Sequence, residues 1–190
     1  MSIVVPGPCR AERQLRAWLE TCVVGLNLCP FARPLLQGAG LRIAVCDADD
    51  SEAGLRVMQQ QLLQELDLLQ ATVEQDTATT LLAFSAGLGN FDDYLDFLDQ
   101  ANELLVAAGL EGVIQLASFH PDYLFAGEPP DAASHYSNRS PLPVIHLLRE
   151  AMLERVLADY PNPETIPENN IARLNSIGRA ELARRLALLR

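Results

Sequence analysis

The sequence predicts an α/β fold, a small, mainly parallel three-stranded sheet covered by helices, and three observations carry that expectation. Short apolar runs of strand length recur at 41–46, 79–84 and 113–119. Stretches with apolar residues at helical spacing separate them and are long enough to be crossovers between parallel strands. Gly, Pro, Asn and Asp mark the junctions. The order reads α-β-α-β-α-β and then a C-terminal helical extension, which leaves room for a mixed sheet.

Residues 1–8 read as a flexible arm and 9–190 as one domain. Over 9–28, Leu15, Trp18, Leu19, Cys22, Val23 and Leu26 fall on one helical face. That helix must end near Cys29, because Pro30 disfavours helical backbone at the residue before it. Pro30, Pro34, Gly38 and Gly40 make 30–40 a loop, and 41–46 is the first strand. A second helix runs from about Ser51 to Gln70 on Leu55, Met58, Leu62, Leu66 and Leu69. The second strand is 79–84; Gly87 and Gly89 then form a turn, and Asn90 caps a third helix that reaches about Ala108. Strand three, 113–119, leads into a Pro-, Gly-, Asp- and Ser-rich loop over 120–142, of a length that is usually functional or disordered. A fourth helix is expected from Pro143 to about Tyr160, with Ile145, Leu148, Met152 and Val156 as its apolar stripe. Pro161-Asn162-Pro163 breaks the chain, and a final helical region is interrupted near Gly178.

With 190 residues, 49% hydrophobic and 21% charged, the chain has the composition of a globular domain with a full core. No apolar run reaches the roughly 20 residues that span a bilayer, and the first residues lack a signal-peptide pattern, so a cytoplasmic protein is expected. A net charge of −11 repels nucleic acid and anionic membranes, and neither is expected as a partner. All fourteen basic side chains are arginine, which excludes Schiff-base lysine chemistry and lysine-dependent phosphate loops. Cys9, Cys22, Cys29 and Cys46 include no C-x-x-C pair, and free thiols are expected.

The densest set of chemically useful residues lies in 118–150. It holds all three histidines, His120, His135 and His146, and Arg139, the first basic residue after Arg56 with thirteen acidic residues between the two. His120 follows strand three, at the sheet edge where α/β ligands bind. On the helix expected from Pro143, His146 falls in the first turn, where free backbone N–H groups favour an anion. Arg139, with Asn138, Ser140 and Tyr123 nearby, is suited to gripping a carboxylate or phosphate. Cys29, at a helix end, becomes a nucleophile or metal ligand only if the fold brings a histidine to it. Each residue also has a structural alternative. His146 can pair with Glu150 on the helix surface, and His120 can bond backbone at the strand end. His135 can sit in solvent, Arg139 can satisfy carbonyls, Tyr123 and Phe125 can anchor the loop, and Cys29 can be inert.

Trp18, Leu28-Cys29-Pro30-Phe31-Ala32, His120-Pro121 with Tyr123 and Phe125, and Asn138-Arg139-Ser140-Pro141 form a recognisable combination. With Pro143, His146-Leu147-Leu148-Arg149-Glu150, and Ile166-Pro167-Glu168 with Asn170, it resembles an uncharacterised bacterial family, domain of unknown function 1415, over nearly the whole chain. The resemblance implies a single cytoplasmic bacterial domain and points to Cys29, His120, Asn138, Arg139 and His146 without giving them roles.

The leading expectation is a small enzyme, a hydrolase or group transferase, acting on a small anionic or polar metabolite. His120, His146 and Cys29 would be its catalytic residues, or ligands of a divalent metal; Arg139, Asn138, Ser140 and Tyr123 would bind the substrate. The alternative is a non-catalytic regulatory or interaction module, with an acidic surface for a basic partner and a His/Arg stretch that is structural or senses a ligand. Oligomeric state is not written in the sequence.

Overall fold

Three strands form where the apolar runs predict them: β1 (Leu41–Cys46), β2 (Thr79–Phe84) and β3 (Ile114–Phe119). A fourth, β4 (Val144–Arg149), occupies the stretch expected to open the fourth helix. Together they make one sheet, in the order β1-β2-β4-β3, in the computed structural model, which describes residues 7–190. The expected arm, but for Gly7 and Pro8, lies outside those residues. β1 and β2 pair in parallel, and β4 runs antiparallel to β2 on one side and β3 on the other. The sheet is therefore mixed and four-stranded, not a mainly parallel sheet of three strands.

The misplaced helix has a physical cause. β4 lies in the middle of the sheet, and Val144, Ile145 and Leu147 are fully buried on its two faces. A strand buried on both sides loses the alternation that marks a half-exposed one. Ile145 and Leu148 then happen to continue the helical spacing of Met152 and Val156, which belong to α5 (Glu150–Ala158).

α1 (Arg10–Trp18) passes without a break into a π-helical segment, Leu19–Val24. It ends in a Schellman motif. The Leu28 N–H bonds to the Val23 carbonyl at 2.8 Å, the Asn27 N–H bonds to Val24 at 3.1 Å, and Asn27 takes the left-handed conformation with φ 53°. Within the expected loop, a short helix, α2 (Ala32–Gln37), follows. α3 (Glu52–Ala71) begins at Ser51, whose Oγ accepts the Gly54 N–H at 3.1 Å. α4 (Phe91–Ala107) begins at Asn90, whose side chain accepts the N–H groups of Asp92 and Asp93. At the C-terminal end α6 (Ile166–Ile177) and α7 (Arg179–Ala187) meet at Gly178, with φ 82°.

Helices cover both faces of the sheet. On one face Met58, Leu62, Leu66 and Phe97 pack over Leu82, Phe84, Ile145 and Leu147. On the other, Leu15, Trp18, Val23, Leu174 and Leu182 pack over Leu81, Ala83 and Val144. Arg149, at the end of β4, donates to the carbonyls of Thr72 at 2.7 Å and Thr77 at 2.9 Å, tying the end of α3 to the approach to β2. No helix among the described residues is long and apolar enough to cross a membrane.

Candidate functional site

The three histidines are each held by hydrogen bonds of a different kind from those expected of acid–base residues. His120 is fully buried. Its Nδ1 accepts the Asp122 N–H at 3.0 Å, so Nε2 carries the proton and donates to the Leu88 carbonyl at 3.0 Å. The ring lies between Phe91 and Tyr94, each about 5.1 Å away by centroid. Burial lowers its pKa below the ordinary histidine value, so the ring is neutral at pH 7. His135, expected in solvent, is also fully buried: Nδ1 accepts the Phe125 N–H at 3.1 Å and Nε2 donates to the Pro129 carbonyl at 2.9 Å. It folds 125–135 back on itself. His146 projects from β4, not from a helix N-terminus. Thr79 Oγ1 donates to the Leu147 carbonyl at 2.6 Å and accepts from His146 Nε2 at 2.7 Å. Burial pushes the His146 pKa down to about 4.

An apolar cavity of about 520 Å³ lies on the α1/α6/α7 side of the sheet, at the carboxyl end of β3. That volume is in the range of small-molecule sites, roughly 300–1,000 Å³. Phe119 lines it from the last position of β3, and the chain after the Schellman motif places Leu28 and Cys29 on one wall. The 3-10 turn Ala133–Ser137 and its cap contribute Ser134, Ser137 and Asn138. From α6 come Ile166, Pro167, Asn170 and Ile171, and the Asn170 side chain donates to the Leu28 carbonyl at 2.8 Å, clamping α6 to the Cys29 wall. The polar capacity of Asn138 is half used, by Ser118 O at 3.1 Å and Ser137 Oγ at 2.9 Å. Ser134 is different: it is 6% exposed, lines the cavity, and its Oγ has no hydrogen-bond partner.

Of the residues expected to form one site, only Cys29 and Asn138 line this cavity. His146 does not line it, though its ring lies 6.2 Å from that of Phe119, which does. Ser140 is fully buried and spends its hydroxyl on the Leu142 carbonyl at 2.5 Å. Tyr123 packs on Phe91 and Phe125, and its carbonyl accepts Arg139 Nε at 3.2 Å. The Arg139 guanidinium lies over the Tyr136 ring, 4.7 Å from its centroid, on the other side of the 3-10 turn. Among the described residues, no three His, Cys, Asp or Glu side chains are grouped to hold a metal ion. Ser134, Phe119 and Ile171 escaped sequence reasoning, since a lone serine or apolar residue carries no chemical signal. Phe125, Ile166, Pro167 and Asn170 stand in the stretches that carry the family resemblance.

Cys29 is half-buried. Burial raises its pKa above the ordinary value near 9, and the nearby N–H groups of Phe31 and Ala32 offset this only in part. Cys29 is thus a neutral thiol at pH 7. Its alkylation by iodoacetamide, followed by peptide mass mapping, should be slow at pH 7–8 and climb about tenfold per pH unit past pH 9, because only the thiolate reacts. A rate that levels off below pH 8 would mean that the fold activates this sulfur.

The sequence model of the family described as "Protein of unknown function (DUF1415)" matches residues 10–184. No curated protein and no solved structure matches the chain.

Proposed function

Because this chain belongs to the DUF1415 family, whose description names no activity, we propose a function from its cavity: a non-catalytic binding module for a small, mainly apolar, uncharged metabolite. The observation that carries this reading is the apolar cavity of about 520 Å³, with Ser134, whose buried hydroxyl has no partner, among its lining residues. A buried hydroxyl without a partner costs about 1–3 kcal/mol, which a ligand would offset once the Ser134 side chain turns its hydroxyl toward the cavity to bond it. The walls are predominantly aliphatic and aromatic. Arg139 does not reach them, and the one carboxylate, Glu128, is exposed. An anionic substrate therefore has no cation to meet there. The half-used amides of Asn138 and Asn170 give the ligand its remaining polar contacts.

The test is a ligand-observed NMR and thermal-shift screen of neutral fragments carrying one hydroxyl or amide, run on wild type and Ser134→Ala. Ser134→Ala should stabilise the free protein by about 1 kcal/mol and weaken binding about tenfold, opposite signs from one hydroxyl. Fragments that bind both proteins equally, with Ser134→Ala less stable than wild type, would overturn the reading. An enzymatic reading keeps one supporting observation, the Cys29 thiol on the cavity wall. It requires a base that no histidine supplies there, and Cys29→Ala separates the two readings. Retained fragment binding favours the binding module, and loss of a turnover found in wild type favours the enzyme.

A further inference from the structure

We propose that the opposite side of the same 3-10 turn forms a second site, an oxyanion subsite on Arg139, independent of the apolar cavity. A 3-10 turn repeats every three residues. Ser134 and Ser137 share the cavity side, whereas Tyr136, with Arg139 just beyond the end of the turn, lines a separate cleft of about 140 Å³. Asp122 and Arg190 line that cleft with them, and α7 closes it with Leu186.

Arg139 is held rather than free. Its Nε donates to the Tyr123 carbonyl at 3.2 Å, and its guanidinium rests on the Tyr136 ring. Its own carbonyl accepts the Trp18 indole N–H at 3.1 Å. These contacts use one edge and one face of the guanidinium. The two terminal nitrogens have no protein acceptor, and Arg139 forms no ion pair among the described residues. Arg190 enters the same cleft and bonds there to the Pro121 carbonyl at 3.1 Å. A structural role for Arg139 needs the ring and the Nε bond and no more. Two terminal N–H edges, pre-oriented beside a second guanidinium in a cleft the size of a single group, are the donor pattern that a carboxylate or a phosphate accepts. The Asp122 carboxylate on the cleft wall opposes an anion and keeps the site weak.

The full-length protein, ¹⁵N-labelled, is titrated with inorganic phosphate and separately with acetate, at ionic strength held constant with chloride. The Arg139 Nε–H signal should move saturably with one or both probes, the tighter of the two identifying the group. Asp122→Asn should tighten binding about threefold or more, by removing a like charge from the cleft. Arg139→Gln should abolish saturation while the rest of the spectrum is kept. Linear, unsaturated shifts with both probes would overturn the proposal, as would saturation that survives Arg139→Gln. Should Arg139→Gln not fold, Asp122→Asn decides alone: tighter binding supports the subsite and unchanged affinity removes it. Neither result bears on fragment binding at Ser134, so the two sites stand or fall separately.

Discussion

Substitution of His120 by alanine is expected to lower unfolding free energy by about 3–5 kcal/mol, a loss of structure rather than of chemistry. The ring does three things at once. Nδ1 satisfies the Asp122 N–H, Nε2–H satisfies the Leu88 carbonyl, and the ring fills the space between Phe91 and Tyr94. Leu88 makes the second of these unusually costly to lose. It is a buried leucine in the left-handed region, φ 59°, a conformation that bulky side chains avoid. Its N–H is held by Asp50 Oδ1 at 2.6 Å and its carbonyl by His120, so both of its backbone polar groups are fixed by side chains distant in sequence. Alanine leaves the buried Leu88 carbonyl and the Asp122 N–H unpaired and a void beside two aromatic rings. Urea unfolding at pH 7 measures the change. A loss under about 1 kcal/mol would mean that the His120 hydrogen bonds contribute little, and would return that histidine to candidacy as a reactive group.

Acidification should weaken the protein through His146 and His120. His146 titrates at about 4 when folded, against an ordinary value near 6.5. Above pH 6.5 it is neutral in both states and contributes no pH dependence. As pH falls below 6.5 the unfolded chain takes up a proton that the folded one refuses, and stability is lost until pH reaches about 4. A difference of that size corresponds to about 3 kcal/mol. His120, lowered by burial as well, adds in the same direction. The 25 acidic side chains titrate over part of this range, so the informative quantity is the difference between wild type and His146→Gln. The variant keeps a side-chain donor for Thr79 but has no proton to refuse. Urea midpoints from pH 7 to pH 4 should fall less steeply for it, and parallel curves would show that His146 does not cause the acid lability.

Much of the architecture was legible because local signals and the tertiary fold agree. Ser51 and Asn90 cap the helices that their positions announce, and the runs at 41–46 and 79–84 are strands to the residue. β4 was not legible, because it runs directly into α5 with no turn residue between them, and Ile145 and Leu148 continue the helical spacing of Met152 and Val156; the likewise buried β2 is set off by turn residues at both ends. The site was half legible. Cys29 and Asn138 were singled out, and both line the same cavity. His120 and His146 were singled out for chemistry that residue type allows and environment decides. Whether an imidazole faces a cavity or a carbonyl depends on partners such as Leu88 and Thr79, which are remote in sequence. Ser134 became visible only through a missing partner, a property of three-dimensional surroundings that no residue pattern encodes.

The placement of β4 also sets the order in which the chain can assemble on the ribosome. β3 joins the sheet only through β4, and β4 also covers the free edge of the β1–β2 pair; β4 emerges after all three. Until Val144–Arg149 has left the exit tunnel, β3 has no neighbour at all and β2 has one bare edge, an arrangement that invites pairing with other nascent chains. Closing a sheet by inserting one of its central strands last ties productive folding to the completion of most of the polypeptide, and it makes a holdase that shields β2 and β3 during synthesis more valuable here than for a meander of equal size.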